Sequence, residues 1–587
     1  MLKVLAKKRN QFSRRRFLEM SLRISFSMIV VNAARFDIIP VFNACYYASL
    51  TVLRLSSILL FQTWIKMKAT LLLTTVLLVL FHQITCEKIL LLNSARIGQS
   101  HIFFMGKIAD VLVEAGHNVT FYQQDAFTSI TKVGTKKAHV IVRPCELGCR
   151  DQPSDDVWHN GDELLDNIEV YKIYGKLMGD ACESQLKDDS VTDMFRAQNF
   201  DLVIAEHLDY CAHALAEKAG INKVISASAV MLQPMVLEAM GNPTNIAFTS
   251  GLDDDHGSQM TYLQRAKAFL MYPIKRWITW HTFESYPVEA IRKYYRADFN
   301  HADAIAKSSY VFVNIDEHLA YQQPLSEKFV YIGGVGEHMG RDHVLPENIN
   351  DILEKSKKGV ILISFGTIAK SYLLPQERKQ ELIETFKAFP EYDFIWKYEV
   401  DDDVAANLTN VHKLKWTPQS DLLAHPKLLA FVTHGGLNSV SESAHKGKPF
   451  VCIPVFGDQN HNCFSAQEKG LAVMIDKHEI TQKNMVHALT TVLQTSYQER
   501  SLQFARMMAD KPFQPKDRII GFVQHALKYD VSTALDLPGR KLSIIQYYFV
   551  DVIVPLLVGV ILSSYLSYKL VTRSVGFLQS SVKRKVE

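Results

Sequence analysis

The sequence predicts an α/β protein of two Rossmann-like lobes with a cleft between them, followed by a transmembrane helix. Short apolar runs of strand length alternate with helically spaced segments in two separate series. A glycine-interrupted stretch at 329–336 (FVYIGGVG) divides the two series and reads as the linker. Residues 547–568 (YYFVDVIVPLLVGVILSSYLSY) are long and apolar enough to cross a bilayer as a helix. A chain of 587 residues exceeds what one core holds, which fits two lobes.

Taken in chain order, residues 1–66 carry a basic cluster at Arg14, Arg15 and Arg16 and interrupted apolar stretches, with no pattern that continues into the folded part. They read as an upstream extension of the reading frame, with Met67 the usual start; an additional N-terminal anchor is the alternative. Residues 67–86 (MKATLLLTTVLLVLFHQITC) have the form of a secretory signal, a lysine and an apolar run followed by a short polar stretch before Glu87.

The first lobe, 87–335, opens with a strand at 88–93 (KILLLN), a helix at 102–115 that stops at Gly116, and a strand at 119–122. The unit recurs at 201–205, 211–219 and 224–226, with Gly220 ending the helix. The second lobe, 336–540, places strands at 359–364, 394–397, 430–433 and 449–453. No GxGxxG follows the first strand of either lobe, which argues against a dinucleotide cofactor.

Beyond the span, the tail 569–587 carries Lys569, Arg573, Lys583, Arg584 and Lys585, and the positive-inside tendency puts it in the cytoplasm and the lobes in a lumen. Lys583 and Lys585 form a pattern similar to the dilysine retrieval signals of endoplasmic-reticulum membrane proteins, so a single-pass type I protein of that membrane is expected. Two sequons, Asn118-Val-Thr and Asn407-Leu-Thr, are acceptors for luminal glycosylation.

A net charge of +4 is small for this length and implies no general polyanion binding, so nucleic acid is not an expected partner. The bilayer is. The eight cysteines form no paired CxxC groups with zinc spacing, so no structural metal site is expected. Cys145, Cys149, Cys182 and Cys211 fall close together; a disulfide among them and buried free thiols are both compatible with the pattern.

The chemistry concentrates in the second lobe. A strand at 430–433 runs straight into His434-Gly435-Gly436, after which LNSVSESAHKG reads as a helix ending at Gly447. Paired glycines let a backbone approach a phosphate, and the free N–H groups and dipole of a new helix favour the anion. Asn438 and Ser439 add side-chain donors in the first turn, and Glu442 lies four residues beyond Asn438 on the same face, where a carboxylate suits the two hydroxyls of a ribose. Upstream, the run Trp416-Thr417-Pro418-Gln419 supplies an aromatic plane able to stack on a base. Downstream, the polar loop of Asp458 and Gln459 is placed to bind sugar hydroxyls at the end of a strand.

The runs WTPQSDLLAHPKLLAFVTHGG (416–436) and ESAHKGKPFVCIPVFGDQNHN (442–462) resemble the signature of the UDP-glycosyltransferase family that includes the UDP-glucuronosyltransferases. The likeness spans about 67–585 and takes in the GHNVT stretch at 116–120 and the SFGT of Ser364, Phe365, Gly366 and Thr367. It implies the GT-B fold, with the acceptor in the N-terminal lobe and the donor in the C-terminal one. By matched position it implies that Trp416 and Gln419 meet the uracil, and that His434, Gly436, Asn438 and Ser439 meet the diphosphate. It further implies that Glu442 meets the ribose, Asp458 and Gln459 the transferred sugar, and that Ser364, Gly366 and Thr367 belong to the UDP-sugar site.

Sugar transfer to a hydroxyl needs a base, and histidine titrates in the right range. His101, after the first strand and at the entrance to the first helix, occupies the place of the family's base. Glu206, at the end of the strand 201–205, stands where a partner carboxylate would fix the imidazole; vertebrate relatives typically have Asp there. The expected reaction is direct displacement with inversion, giving a β-glycoside. It uses no cofactor and no metal, because the Asp-x-Asp match at 401–403 reads as a solvated loop beside Asn407.

Vertebrate glucuronosyltransferases meet the glucuronate carboxylate with an arginine in a strand before the linker, and the corresponding 310–314 (YVFVN) has none. UDP-glucuronate and UDP-glucose are therefore both open as donors. Met235, Met240, Phe248, Met271 and Trp280 are consistent with a pocket for a small lipophilic acceptor. Homo-oligomerisation is compatible with the sequence. The rival readings are a UDP-sugar-binding protein without transfer activity and a non-hydrolysing epimerase of related fold.

Overall fold

The computed structural model describes residues 47–52, 55, 62–64, 66–70, 87–93, 98–125, 127, 132–151, 156–160, 167–249, 251, 254–337 and 345–586. The chain divides into two compact units, 1–85 and 86–587. In the first, the described residues are helical. Most of the extension 1–66 and of the signal 67–86 lies outside the described residues.

The second unit contains two sheets, each entirely parallel. The first runs in the order β3-β2-β1-β4-β5-β6-β7, with β1 at Lys88–Asn93, β2 at Asn118–Gln124, β3 at His139–Arg143, β4 at Leu202–Glu206, β5 at Val224–Ser228, β6 at Val311–Val313 and β7 at Phe329–Tyr331. The second runs β10-β9-β8-β11-β12-β13, with β8 at Val360–Ser364, β9 at Asp393–Lys397, β10 at Val411–Leu414, β11 at Leu428–Thr433, β12 at Phe450–Cys452 and β13 at Ala472–Met474. Ile89 to Leu92 and Val360 to Ile363 are completely buried, as central strands covered by helices on both faces must be.

In each sheet the strand order reverses once beside its first strand, between β1 and β4 and between β8 and β11. Such a switch point opens a crevice at the carboxyl ends of the strands. Leu92 pairs with Ala205 across the first, and Ser364 with Thr433 across the second. The residues that follow, His101 after β1 and His434 after β11, therefore sit at crevices.

The glycine-rich linker begins later than expected. Phe329–Tyr331 is β7, an edge strand of the first sheet, because Val311 and Val313 offer it a free ladder. Gly333 then passes so close to Ile315 that a Cβ would stand 2.1 Å from the Ile315 carbonyl carbon. The stretch read as the end of the second lobe also returns to the first. Helix Pro515–Lys528 donates from Arg518 to the Tyr331 carbonyl (3.1 Å), pairs Lys516 with Glu114 (2.6 Å) and joins His525 to the Tyr310 hydroxyl (2.7 Å). Buried Lys328 reaches Asp536 at 2.6 Å.

The C-terminal helix spans Val550–Val586, of which Val550–Val582 is long and apolar enough to cross a membrane, and none of its apolar window is buried. It is offset from the expected 547–568. Tyr547 closes a separate short helix, Ile544–Tyr547, the chain breaks at Phe549 with φ +56°, and no helix breaker separates Tyr568 from the basic tail.

Three disulfides join Cys145 to Cys149, Cys182 to Cys211 and Cys452 to Cys463. The first two fall within the expected cluster; the third was not foreseen.

Candidate functional site

His101 lies in the first turn of helix Gln99–Glu114, which follows β1. Glu206 ends β4, the strand on the other side of the switch point. His101 Nδ1 and Glu206 Oε1 stand 2.8 Å apart, with the carboxylate fully buried. Burial alone would lower the His101 pKa, but the Glu206 charge and hydrogen bond outweigh it, and Asp458 adds to them, so it lies above the ordinary 6.5.

In the second lobe, β11 delivers His434, Gly435 and Gly436 into helix Leu437–His445, whose N-cap, Gly436, has no side chain to bond the first-turn N–H groups. Those donors are left for an anion. The glycines have distinct reasons. Gly435 holds φ +80°, and a Cβ there would lie 2.3 Å from Cys463 Sγ and 2.8 Å from Cys452 Sγ, so the loop rests on the disulfide. A Cβ on Gly436 would lie 2.6 Å from His434 Nε2, and one on Gly366 would lie 2.7 Å from His434 Cε1. The His434 ring is thus seated between the HGG turn and the SFGT turn after β8. Its burial, helped by Lys397, lowers its pKa to about 4, so it meets a ligand as a neutral imidazole.

Gln419 Nε2 donates to Ser439 Oγ (3.0 Å) and to Glu442 Oε2 (2.8 Å), linking residues expected at base, phosphate and ribose. Asn438 accepts from Asn314 Nδ2 of the first lobe at 3.0 Å. Trp416 is 52% exposed, and Lys132 Nζ stands 3.4 Å from its ring centroid. Such a contact contributes about 0.5–1 kcal/mol at an exposed site, little enough for a stacking base to displace.

Asp458 and Gln459, expected on a polar loop, form the N-cap and first residue of helix Gln459–Glu468. Asn462 donates to Asp458 (3.0 Å), and burial raises the Asp458 pKa. Gln459 Oε1 accepts from the Val455 and Phe456 amides (2.8 and 3.2 Å), which leaves its Nε2 as the group to offer a ligand.

Every one of Ser364, Gly366, Thr367, Trp416, Gln419, His434, Gly436, Asn438, Ser439, Glu442, Asp458 and Gln459 lines one cleft of about 1440 Å³, and His101 lines it from the other lobe. Glu206 stands behind His101. The expected glycosylation residues, Asn118 and Asn407, lie away from it and are exposed, Asn118 as the first residue of β2 and Asn407 in a turn. The acidic run 401–403 is exposed as expected, with Asp402 tied to Lys413 (2.8 Å) and Tyr398 (2.7 Å).

A polar network beside Glu442 was not foreseen from the sequence. Lys107, two turns along the helix from His101, donates to Glu337 at 3.0 Å, and Ser420 Oγ donates to the other Glu337 oxygen at 2.8 Å. Glu337 is held below its ordinary pKa because Lys107 outweighs its burial. Nearby Glu442 is pushed up to about 7, by burial first and then by the Glu337 charge. A lone carboxylate at the end of a glycine-rich linker was the available signal. A second cavity has Met235 and Met271 in its wall; Met240 is core, Trp280 is half-buried and Phe248 is 39% exposed.

Among the described residues, Asp316, Glu317 and His318 gather potential metal-ligand atoms within 4.8 Å of one another. They are matched by cations: Lys511 lies 2.6 Å from Asp316, and Arg518 2.7 Å from Glu317.

The family model described as "UDP-glucoronosyl and UDP-glucosyl transferase" matches residues 88–585. The chain is 29% identical over 529 residues to the putative UDP-glucuronosyltransferase ugt-48 of Caenorhabditis elegans, covering 82% of this chain and 94% of the relative. It is 27% identical to UDP-glucuronosyltransferase 2C1 of Oryctolagus cuniculus (68% and 79% covered) and 27% identical to UDP-glucuronosyltransferase 3A1 of Homo sapiens (80% and 90%). Among solved structures it resembles the glycotransferase of kitacinnamycin, with TM-score 0.50, 17% identity, and 75% of this chain and 98% of that one covered. It also resembles TcCGT1 in complex with UDP, with TM-score 0.50, 14% identity, and 76% and 100% covered. At these identities the structural likeness is one of fold, the two-lobed GT-B arrangement.

Proposed function

The chain belongs to the UDP-glucuronosyl and UDP-glucosyl transferase family, and from that premise we propose that it transfers glucuronic acid or glucose from a UDP-sugar to a hydroxyl of small lipophilic acceptors, with inversion, using His101 as general base. One observation carries this reading: His101 faces, across a single cleft, the residues suited to a UDP-sugar. The hydrogen bond to Glu206 commits Nδ1 and leaves Nε2 to take the acceptor proton. The acceptor oxygen attacks the anomeric carbon, the bond to UDP breaks, and the departing charge meets the uncapped N–H groups of Leu437–His445. Those donors serve the diphosphate without a metal, and UDP-sugar is a cosubstrate rather than a bound cofactor.

The apolar helix Val550–Val582 anchors the enzyme to a membrane. An endoplasmic-reticulum, type I placement with luminal lobes is supported by the disulfides, which persist in oxidising compartments, by the exposed sequons at Asn118 and Asn407, and by the basic tail. The family likeness does not favour a UDP-sugar binder without transfer activity.

The test is UDP release from UDP-glucuronate and from UDP-glucose with a panel of phenols, followed by proton NMR of the product. A diaxial anomeric coupling identifies the β-glycoside. The small coupling of an α-glycoside overturns inversion, and the preferred donor identifies the sugar.

A further inference from the structure

Helix Tyr262–Thr279 has two faces of opposite use. Only Ile278 along it is fully buried. Leu263, Leu270, Ile274 and Trp277 form a stripe at helical spacing, with Tyr262 and Phe269 beside it, and Leu263, Phe269, Leu270 and Trp277 are 76%, 70%, 65% and 62% exposed. An aromatic-rich apolar face, interrupted by Lys267, is what an interfacial helix presents to lipid. The opposite face, with Ala268, Met271, Tyr272 and Thr279, walls the second cavity, which also takes in Met231, the residue next to Val230 of the UDP-sugar cleft.

The anchor emerges beside this helix. Tyr272 donates to Glu238, which also stands 3.6 Å from Arg276. Glu238 belongs to helix Pro234–Ala239, and the end of that helix holds the segment leading into the membrane: Arg540 donates to the Ala239 carbonyl at 3.1 Å, and a Cβ on Gly241 would lie 2.8 Å from the Arg540 backbone. Tyr548, two residues before the span, is near enough for the Glu238 charge to add to burial and Tyr547 in raising its pKa. Ile544, Ile545 and Phe549 continue the exposed apolar surface up to Val550. The occupant of the exposed face is therefore the bilayer that the adjoining helix enters.

We propose that the exposed face of Tyr262–Thr279 docks on that bilayer surface, and that the cavity on its other side takes acceptors directly from the lipid. The second half rests on the transferase reading; the first does not. Lys267, Lys275 and Arg276 already pair with Asp255, Asp254 and Glu284, so docking proceeds through apolar burial rather than through anionic headgroups.

The test uses the full-length chain in phosphatidylcholine vesicles brominated near the headgroup end of the acyl chains. Bromine quenches tryptophan emission on contact, and Trp277→Phe is expected to remove part of the quenchable emission. Equal quenching in the wild type and the variant, or a face covered instead by a second copy of the chain, overturns docking. For the acceptor route, Phe269→Ser with Leu270→Ser is expected to raise KM several-fold for a phenol that partitions into lipid. KM for a water-soluble phenol and for the UDP-sugar stays unchanged. An equal rise for both phenols overturns lipid delivery, whereas absence of transfer to any acceptor counts against the transferase reading and leaves the quenching result standing.

Discussion

Nδ1 of His101 lies 2.8 Å from Oε1 of Glu206, across the point where the first sheet reverses its strand order. The second glutamate oxygen is buried with no partner among the described residues, so His101 is the group its carboxylate serves. The longer glutamate thus meets the imidazole at ordinary hydrogen-bond distance. Glu206→Gln keeps the shape but loses the charge that fixes the tautomer and stabilises the imidazolium. It is expected to lower kcat on the order of 10²- to 10⁴-fold while UDP binding holds. Glu206→Asp, one methylene short, is expected to lose less. Steady-state kinetics with titration calorimetry of UDP checks both.

The same pair sets a pH dependence. His101 must be neutral to accept a proton, and its pKa lies above 6.5, so kcat/KM is expected to rise with pH through that higher value. Glu206→Gln moves the inflection to lower pH. Stability runs the other way: the raised pKa stabilises the fold fully below about 6.5, and that contribution is lost as pH rises through the folded value. Rate profiles and thermal melts from pH 5 to 9 read the two trends separately.

Gly435 and the Cys452–Cys463 disulfide form one support under the loop His434-Gly435-Gly436. Gly435→Ala places a Cβ against both sulfurs in a left-handed backbone, and donor binding is expected to be lost together with a fall in Tm. Replacing Cys452 and Cys463 by Ser removes a bridge with sequence separation 11, a loss of about 3 kcal/mol by loop closure, and weakens UDP binding in proportion. Thermal melts and UDP titration measure both changes.

Burial and the Glu337 charge push the Glu442 pKa up to about 7, and under the proposed function ribose hydroxyls donating to it would favour its ionised form. Binding of UDP at pH 6 is expected to release protons, seen as a buffer dependence of the calorimetric enthalpy, and Glu442→Gln removes the release. Glu337→Gln takes away the neighbouring charge that raises Glu442, so the release at pH 6 is expected to shrink, with a several-fold rise in donor KM as Ser420 and Lys107 lose their shared anchor.

The parts legible from sequence were those with a local signature. β1, β4, β8 and β11 are continuous apolar runs because both their faces are covered, and the helix starts after β1 and β11 are marked by His101 and Gly436. What was not legible depended on distant partners. β7 hides in a glycine-rich run because its ladder comes from β6, and Pro515–Lys528 returns to the first lobe through contacts hundreds of residues away. Lys107 and Glu337 look like solvated charges until the lobes bring them together. Tyr262–Thr279 breaks the usual pattern because its apolar face points outward.

His101 is the proposed base on which transfer in this cleft depends. The direct test is UDP release from the preferred UDP-sugar with a phenol acceptor, comparing wild type with His101→Ala while UDP binding is followed in parallel. Release is expected to fall on the order of 10²- to 10⁴-fold with UDP affinity unchanged. Undiminished release by His101→Ala would exclude His101 as the base.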